Sequence, residues 1–178
     1  MFYSDPSTEK DRINRVFEKL DRLNVTQSNN NKDIFYVIKC WNDNIVSYSF
    51  KDNNISTEWI SLEDKDRERH ESEGNFSLRN ELNDTEKEIF GCKMDIIEGN
   101  RFIVTMNAEQ LKNQVNELVM DEDDNPNIIG LVKGKMCRLK YAYAQMKNGL
   151  LPEIDYLNLY GESLEDGTLC VEKMTQLN

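Results

Sequence analysis

The stretch IFYVIKCWNDNIVSYSF, residues 34–50, decides how this chain is read. Ile34 to Trp41 is a nearly continuous apolar run, and Ile45 to Phe50 is a second run rich in β-branched and aromatic residues. Asn42-Asp43-Asn44 separates them, and such residues tolerate positive φ, so the pattern predicts a β-hairpin. A third strand is expected from Thr57 to Leu62, carrying Trp59 and Ile60. Toward the C-terminus the same reasoning predicts strands at Cys92 to Ile97, Arg101 to Met106, Ile128 to Val132, Lys135 to Met146, Ile154 to Tyr160 and Leu169 to Met174. Glu98-Gly99-Asn100, Asn148-Gly149 and Asp166-Gly167 mark the reversals. About eight strands joined by short β-to-β turns predict a mainly β fold, an antiparallel barrel or sandwich. A doubly wound sheet would need a helix after nearly every strand, which the spacing lacks.

Helical signals are few. Ile13, Val16, Phe17, Leu20 and Leu23 fall at helical spacing between Ser7 and Leu23, with charges on the other face. This stripe must dock on something; its own sheet is favoured over a separate partner by about two to one. Residues 27–33 form an asparagine-rich linker without periodicity. A short helix is expected at Asp84 to Phe90, capped by Asn83 or Asp84 and stopped by Gly91. Leu111, Val115, Leu118 and Val119 recur at helical spacing, which predicts a further helix over Ala108 to Val119. Glu63 to Asn75, the most polar stretch, reads as an exposed and partly disordered charged loop.

At 178 residues the chain has the size of one domain, read here as 1–178 with a β-rich body from 34 to 174. A net charge of −11 argues against a nucleic-acid or anionic-membrane surface, because phosphates would be repelled at long range. No run approaches the roughly 20 apolar residues needed to span a bilayer. Met1 to Glu9 lacks the basic start and apolar stretch of a signal peptide. The expected setting is therefore intracellular, cytoplasmic or organellar, and not secreted. Cys40, Cys92, Cys137 and Cys170 lie far apart in apolar stretches and read as small buried hydrophobes in a reducing compartment. The sequons at Asn24, Asn54, Asn75 and Asn83 are expected to be chance products of an asparagine-rich sequence.

Motif chemistry is sparse. A histidine-dependent nucleophile would need His70, the only histidine, which sits between Arg69 and Glu71 in the charged stretch. Four scattered cysteines lack the paired spacing of a zinc site. Asp121 to Asn125 imitates a calcium loop, but Pro126 stands where glycine is needed and Val132 where the bidentate glutamate belongs. Gly130 to Lys135 resembles a phosphate loop one residue short, with Met136 in place of Ser or Thr. No metal or cofactor is expected. Among the 33 acidic residues, Glu63 at a strand end and Glu86 on the short helix are the weak catalytic candidates. Tyr141 with Tyr143, and Tyr156 with Tyr160, share strand faces at period two, suiting either a ligand cavity or ordinary core packing.

Phe35-Tyr36-Val37, Asn44 to Tyr48, Trp59-Ile60, Glu63, Glu81 to Lys87 and Gly91-Cys92-Lys93 together resemble a family known only as a domain of unknown function. Leu139 to Tyr143, Gly149, Pro152, Asp155-Tyr156, Leu159-Tyr160-Gly161, Gly167 and Glu172 extend the resemblance, which runs from about Asp33 to Met174. It implies small bacterial and protist proteins, the bacterial ones looking secreted, and carries no activity, cofactor or catalytic residue with it.

Three functions are expected in order. The first is a non-enzymatic interaction module, a subunit of a larger protist assembly that docks on a protein partner through Ile13, Val16, Phe17 and Leu20 and the tyrosine-rich sheet. The second is a small-molecule-binding barrel with a pocket lined by Trp59, Tyr141, Tyr143, Tyr156 and Tyr160. The third is a carboxylate-dependent hydrolase using Glu63 and Glu86.

Overall fold

The computed structural model describes residues 6–23, 27–28, 31–74, 77–98 and 101–176. The chain opens with helix α1 (Pro6–Leu23), whose N-cap lies outside the described residues, and a short strand β1 (Gln27–Ser28). The sequence-deciding stretch forms β2 (Asn31–Lys39) and β3 (Asn44–Lys51), paired antiparallel with Ile38 opposite Ile45. β4 (Asn54–Ser61) starts three residues before the expected third strand, because Asp52 and Asn53 both adopt positive φ, 51° and 59°, and close a two-residue turn. The chain continues through α2 (Asp64–Glu73), β5 (Arg79–Glu81), α3 (Asp84–Phe90), β6 (Cys92–Ile97) and β7 (Arg101–Met106). It ends with β8 (Asn116–Met120), β9 (Pro126–Val132), β10 (Lys135–Met146), β11 (Ile154–Ser163) and β12 (Leu169–Thr175).

These strands make one curled, mixed sheet, a half-barrel, ordered β5-β4-β3-β2-β10-β9-β8-β7-β6. The strand-rich fold with an N-terminal helix is as expected; the pairing differs in one respect. β10 is long enough to carry two partners on one edge: Lys135 to Arg138 pairs antiparallel with β9, and Tyr141 to Ala144 pairs parallel with β2. Its other edge carries β11 and then β12. Three expectations are corrected. The stretch expected as a linker, 27–33, carries β1 and the start of β2, which pair antiparallel with Gln27 opposite Lys32, because backbone pairing needs no apolar periodicity. The charged loop after Glu63 is the helix α2, without a single buried residue, closed by Gly74 at φ 70°. The helix expected over Ala108 to Val119 is a run of turns followed by β8.

The curl encloses the larger core, built from Phe35, Val46, Tyr48, Phe90, Val104, Leu118, Ile128, Leu139 and Leu159 among others. Helix α1 covers the outer face, where Ile13, Val16 and Leu20 pack with Ile38, Ile45, Ile60, Leu62 and Tyr143. Burying each of these helix side chains contributes up to about 1.5–3 kcal/mol. Polar clamps fix the helix in place. Arg12 donates to the Lys39 carbonyl (3.1 Å) and the Asn42 carbonyl (2.7 Å), Lys19 to Asp43 (2.7 Å) and the Leu62 carbonyl (3.0 Å), and Asn158 to Glu9 (2.8 Å). Among the described residues, no helix is long and apolar enough to cross a membrane.

Candidate functional site

Side chains alternate along β2, so Phe35 and Val37 enter the inner core, and Lys39 follows them inward by the same parity. Lys39 is 6% exposed. Its Nζ lies 3.9 Å from the Trp59 ring centroid, and among the described residues it makes no hydrogen bond and no ion pair. Trp59 in turn meets the Phe90 ring edge-on at 5.5 Å, and its indole N–H is sealed from solvent without an acceptor among the described residues. Of the two, the sealed orphan among the described residues is thus the Trp59 N–H alone, while the Lys39 ammonium has the Trp59 ring face as its contact. Buried polar groups are paired in the great majority of cases, so this wall of the half-barrel stands out.

Burial pulls the Lys39 ammonium down from its ordinary 10.5 to about 8, although Glu86, Glu63 and Cys40 all favour its charged form. The two carboxylates singled out in the sequence therefore both lie within electrostatic reach of Lys39. Each is also engaged elsewhere. Glu86 Oε1 accepts from the Asn83 N–H (2.9 Å) while Asn83 Oδ1 accepts from the Glu86 N–H (2.8 Å), a complete capping box. Glu63 sits 3.3 Å from Lys65 Nζ.

Helix α3 roofs this wall and is anchored at its far end. The buried Tyr48 hydroxyl donates to the Phe90 carbonyl, and Asn107 Nδ2 donates to the Lys87 carbonyl at 2.8 Å. Gly91 is there for space: a Cβ would lie 2.4 Å from the Lys87 oxygen. Clefts open on either side of α3. One, of about 640 Å³, lies between Ile55 to Glu58 and Gly91 to Lys93; another, of about 310 Å³, lies between Ile89 and Pro152 to Ile154. Lys39 lines neither.

The five expected ligand-binding aromatics do not share a wall. Trp59 packs with the inner core, whereas Tyr141 and Tyr160 stack on each other (4.7 Å) on the outer face, where Phe17 meets Tyr141 at 5.1 Å and Tyr36 at 5.8 Å. Tyr143 is buried there too, its hydroxyl pushed up to about 12 by burial, and Tyr156 lies beneath the Lys173 ammonium at 4.2 Å. Ile13, Val16, Phe17 and Leu20 pack against this same outer face, so the helix stripe and the tyrosine face occupy each other. Lys39 itself escaped the sequence reading. Its signal was parity, a lysine in register with Phe35 and Val37 inside an apolar run.

The chain matches the model of the family described as a domain of unknown function, DUF4833, over residues 23–173. The chain belongs to that family. No curated protein matches, and no solved structure does.

Proposed function

We propose that this member of the family is a small-molecule-binding β-domain that takes an uncharged ligand by its carbonyl oxygen at the inner wall of the half-barrel. The observation that carries this reading is the buried Lys39 ammonium, which lies over the Trp59 ring and makes no hydrogen bond or ion pair among the described residues. A ligand oxygen supplies the acceptor that this ammonium lacks. Charge selects the class of ligand. One ammonium faces the carboxylates of Glu63 and Glu86, so an anion entering here meets net repulsion, while a carbonyl dipole does not. The Trp59 ring adds an apolar wall suited to a planar or aliphatic body. The helix stripe and tyrosine face, in this reading, hold the scaffold rather than a partner.

Benzamide is a suitable probe, since its carbonyl is uncharged and does not condense with amines. In a Trp41→Phe chain Trp59 is the sole tryptophan, and its fluorescence should change saturably with benzamide and lose that response in Lys39→Met. A response that is absent, or that is unchanged by Lys39→Met, overturns the reading.

A further inference from the structure

Lysine with an ordinary environment is a poor nucleophile near neutral pH because it is almost wholly protonated. An inward lysine held among apolar groups and without a counter-ion is the arrangement that releases the amine lone pair. We propose that Lys39 is a reactive amine and that this domain holds an aldehyde or ketone ligand covalently, as a Schiff base on Lys39 Nζ. The inference rests on the ligand site described above and narrows its class from carbonyl compounds in general to those that condense with an amine.

The geometry supports each requirement. Lys39 is 6% exposed, and the Trp59 face at 3.9 Å, with Phe90 behind it, supplies low-dielectric surroundings. Nothing among the described residues holds the amine by a hydrogen bond or ion pair, so no bond must break before it attacks. Nζ is also not one of the sealed, partnerless atoms, as Trp59 Nε1 is, and so keeps a contact with solvent through which a small carbonyl compound can arrive. The charged groups that bear on the amine come from each surrounding element: Glu86 on α3, Glu63 after β4, and Cys40 directly after β2. All three favour the protonated form, burial opposes them, and burial wins, leaving the amine at about 8. At pH 7.4 that releases on the order of a hundredfold more free amine than an unperturbed lysine offers.

The step balances without a redox partner. The neutral amine attacks the carbonyl carbon, the new N–C bond forms, and the C=O π pair moves to oxygen. Through solvent, one proton leaves nitrogen and one joins oxygen, giving a carbinolamine. Protonation of its hydroxyl then releases water as the nitrogen lone pair forms C=N, giving a protonated imine; loss of its N–H proton to solvent returns the proton consumed. The net change is amine plus carbonyl to imine plus one water, and it reverses by hydrolysis.

The test treats the full chain with benzaldehyde and sodium cyanoborohydride at pH 7.4, then maps benzylated lysines by peptide mass spectrometry. Lys39 should be labelled at least tenfold faster than Lys65, whose side chain is 78% exposed. Labelling at Lys39 should rise steeply between pH 6.5 and 8 and then level off. In Lys39→Arg that adduct is lost while the others persist, with the fold checked by its urea midpoint. Labelling of Lys39 no faster than Lys65 overturns the proposal, and this outcome needs no variant. The benzamide titration separates the two readings. A Trp59 response to benzamide without a Lys39 adduct refutes the covalent step and leaves the carbonyl site standing; absence of both removes both.

Discussion

Replacing Lys39 by methionine should stabilise the protein at neutral pH. Methionine matches the lysine stem in length and shape, so the inner wall stays filled. The fall of the ammonium from 10.5 to about 8 corresponds to a penalty of about 3 kcal/mol for holding that charge in the folded state. A titration midpoint reflects every interaction of the charge, so this penalty is already net of the cation–π contact with Trp59. The gain at pH 7 is therefore up to about 3 kcal/mol, a direction opposite to that of most core substitutions. The pH dependence gives a second handle. Between pH 8 and 10.5 the folded lysine is neutral while the unfolded one is still protonated, so the unfolded state binds more protons and wild-type stability rises with pH. Lys39→Met lacks this rise, and its advantage should vanish by about pH 10.5. Urea unfolding of both proteins at pH 7, 8.5 and 10.5, compared through midpoints at constant slope, measures this directly. A variant destabilised by 1 kcal/mol or more at pH 7, or a difference independent of pH, refutes the reasoning.

Three further outcomes follow from the scaffold. Gly91→Ala places a methyl group 2.4 Å from the Lys87 carbonyl and should cost about 1–3 kcal/mol by thermal or urea unfolding, with Trp59 fluorescence altered as α3 shifts. Leu20→Ala, at a fully buried position between α1 and the outer face, should cost about 2–5 kcal/mol in the same assay. Burial raises the Asp43 carboxyl, but hydrogen bonds from Lys19 and Arg15 outweigh it and leave the group below its usual range. Its contribution is thus present above the unfolded pKa and is lost as pH falls through the folded one. Asp43→Asn should flatten that acid-side loss, which acid titration of the unfolding midpoint reads out.

Local signals carried much of this fold. The hairpin of β2 and β3 follows from residues 34–50 because the turn chemistry and both runs lie within one short segment. Helix α3 is framed by Asn83, Glu86 and Gly91, and each plays the part its residue type indicates. Two of the misses have a common cause in strand partners that lie outside the local segment. Leu111, Val115 and Leu118 fall at helical spacing, yet Val115 is 68% exposed, and Leu118 is buried because it pairs with Phe102 on one side and Ile128 on the other. No local pattern reveals those ladders. The parallel pairing of Tyr36 with Tyr141 was invisible for the same reason. Helix α2 has no apolar stripe to betray it; Asp64 and Asp66 in its first turn and the Arg69–Glu73 pair support it instead. At the candidate site, Trp59, Glu63 and Glu86 were in view from the sequence. The lysine they surround was not, because a charged residue in an apolar run is ordinarily read as the solvent-facing one.

NMR titration of the lysine side chains, with selective ¹³Cε labelling and Lys39→Met for assignment, reads the Lys39 ammonium itself. One lysine should titrate with a midpoint near 8, and that midpoint should rise saturably on adding benzamide, since a carbonyl that accepts from the ammonium favours its charged form. A Lys39 midpoint at the ordinary lysine value, unmoved by benzamide, would contradict the proposed carbonyl site.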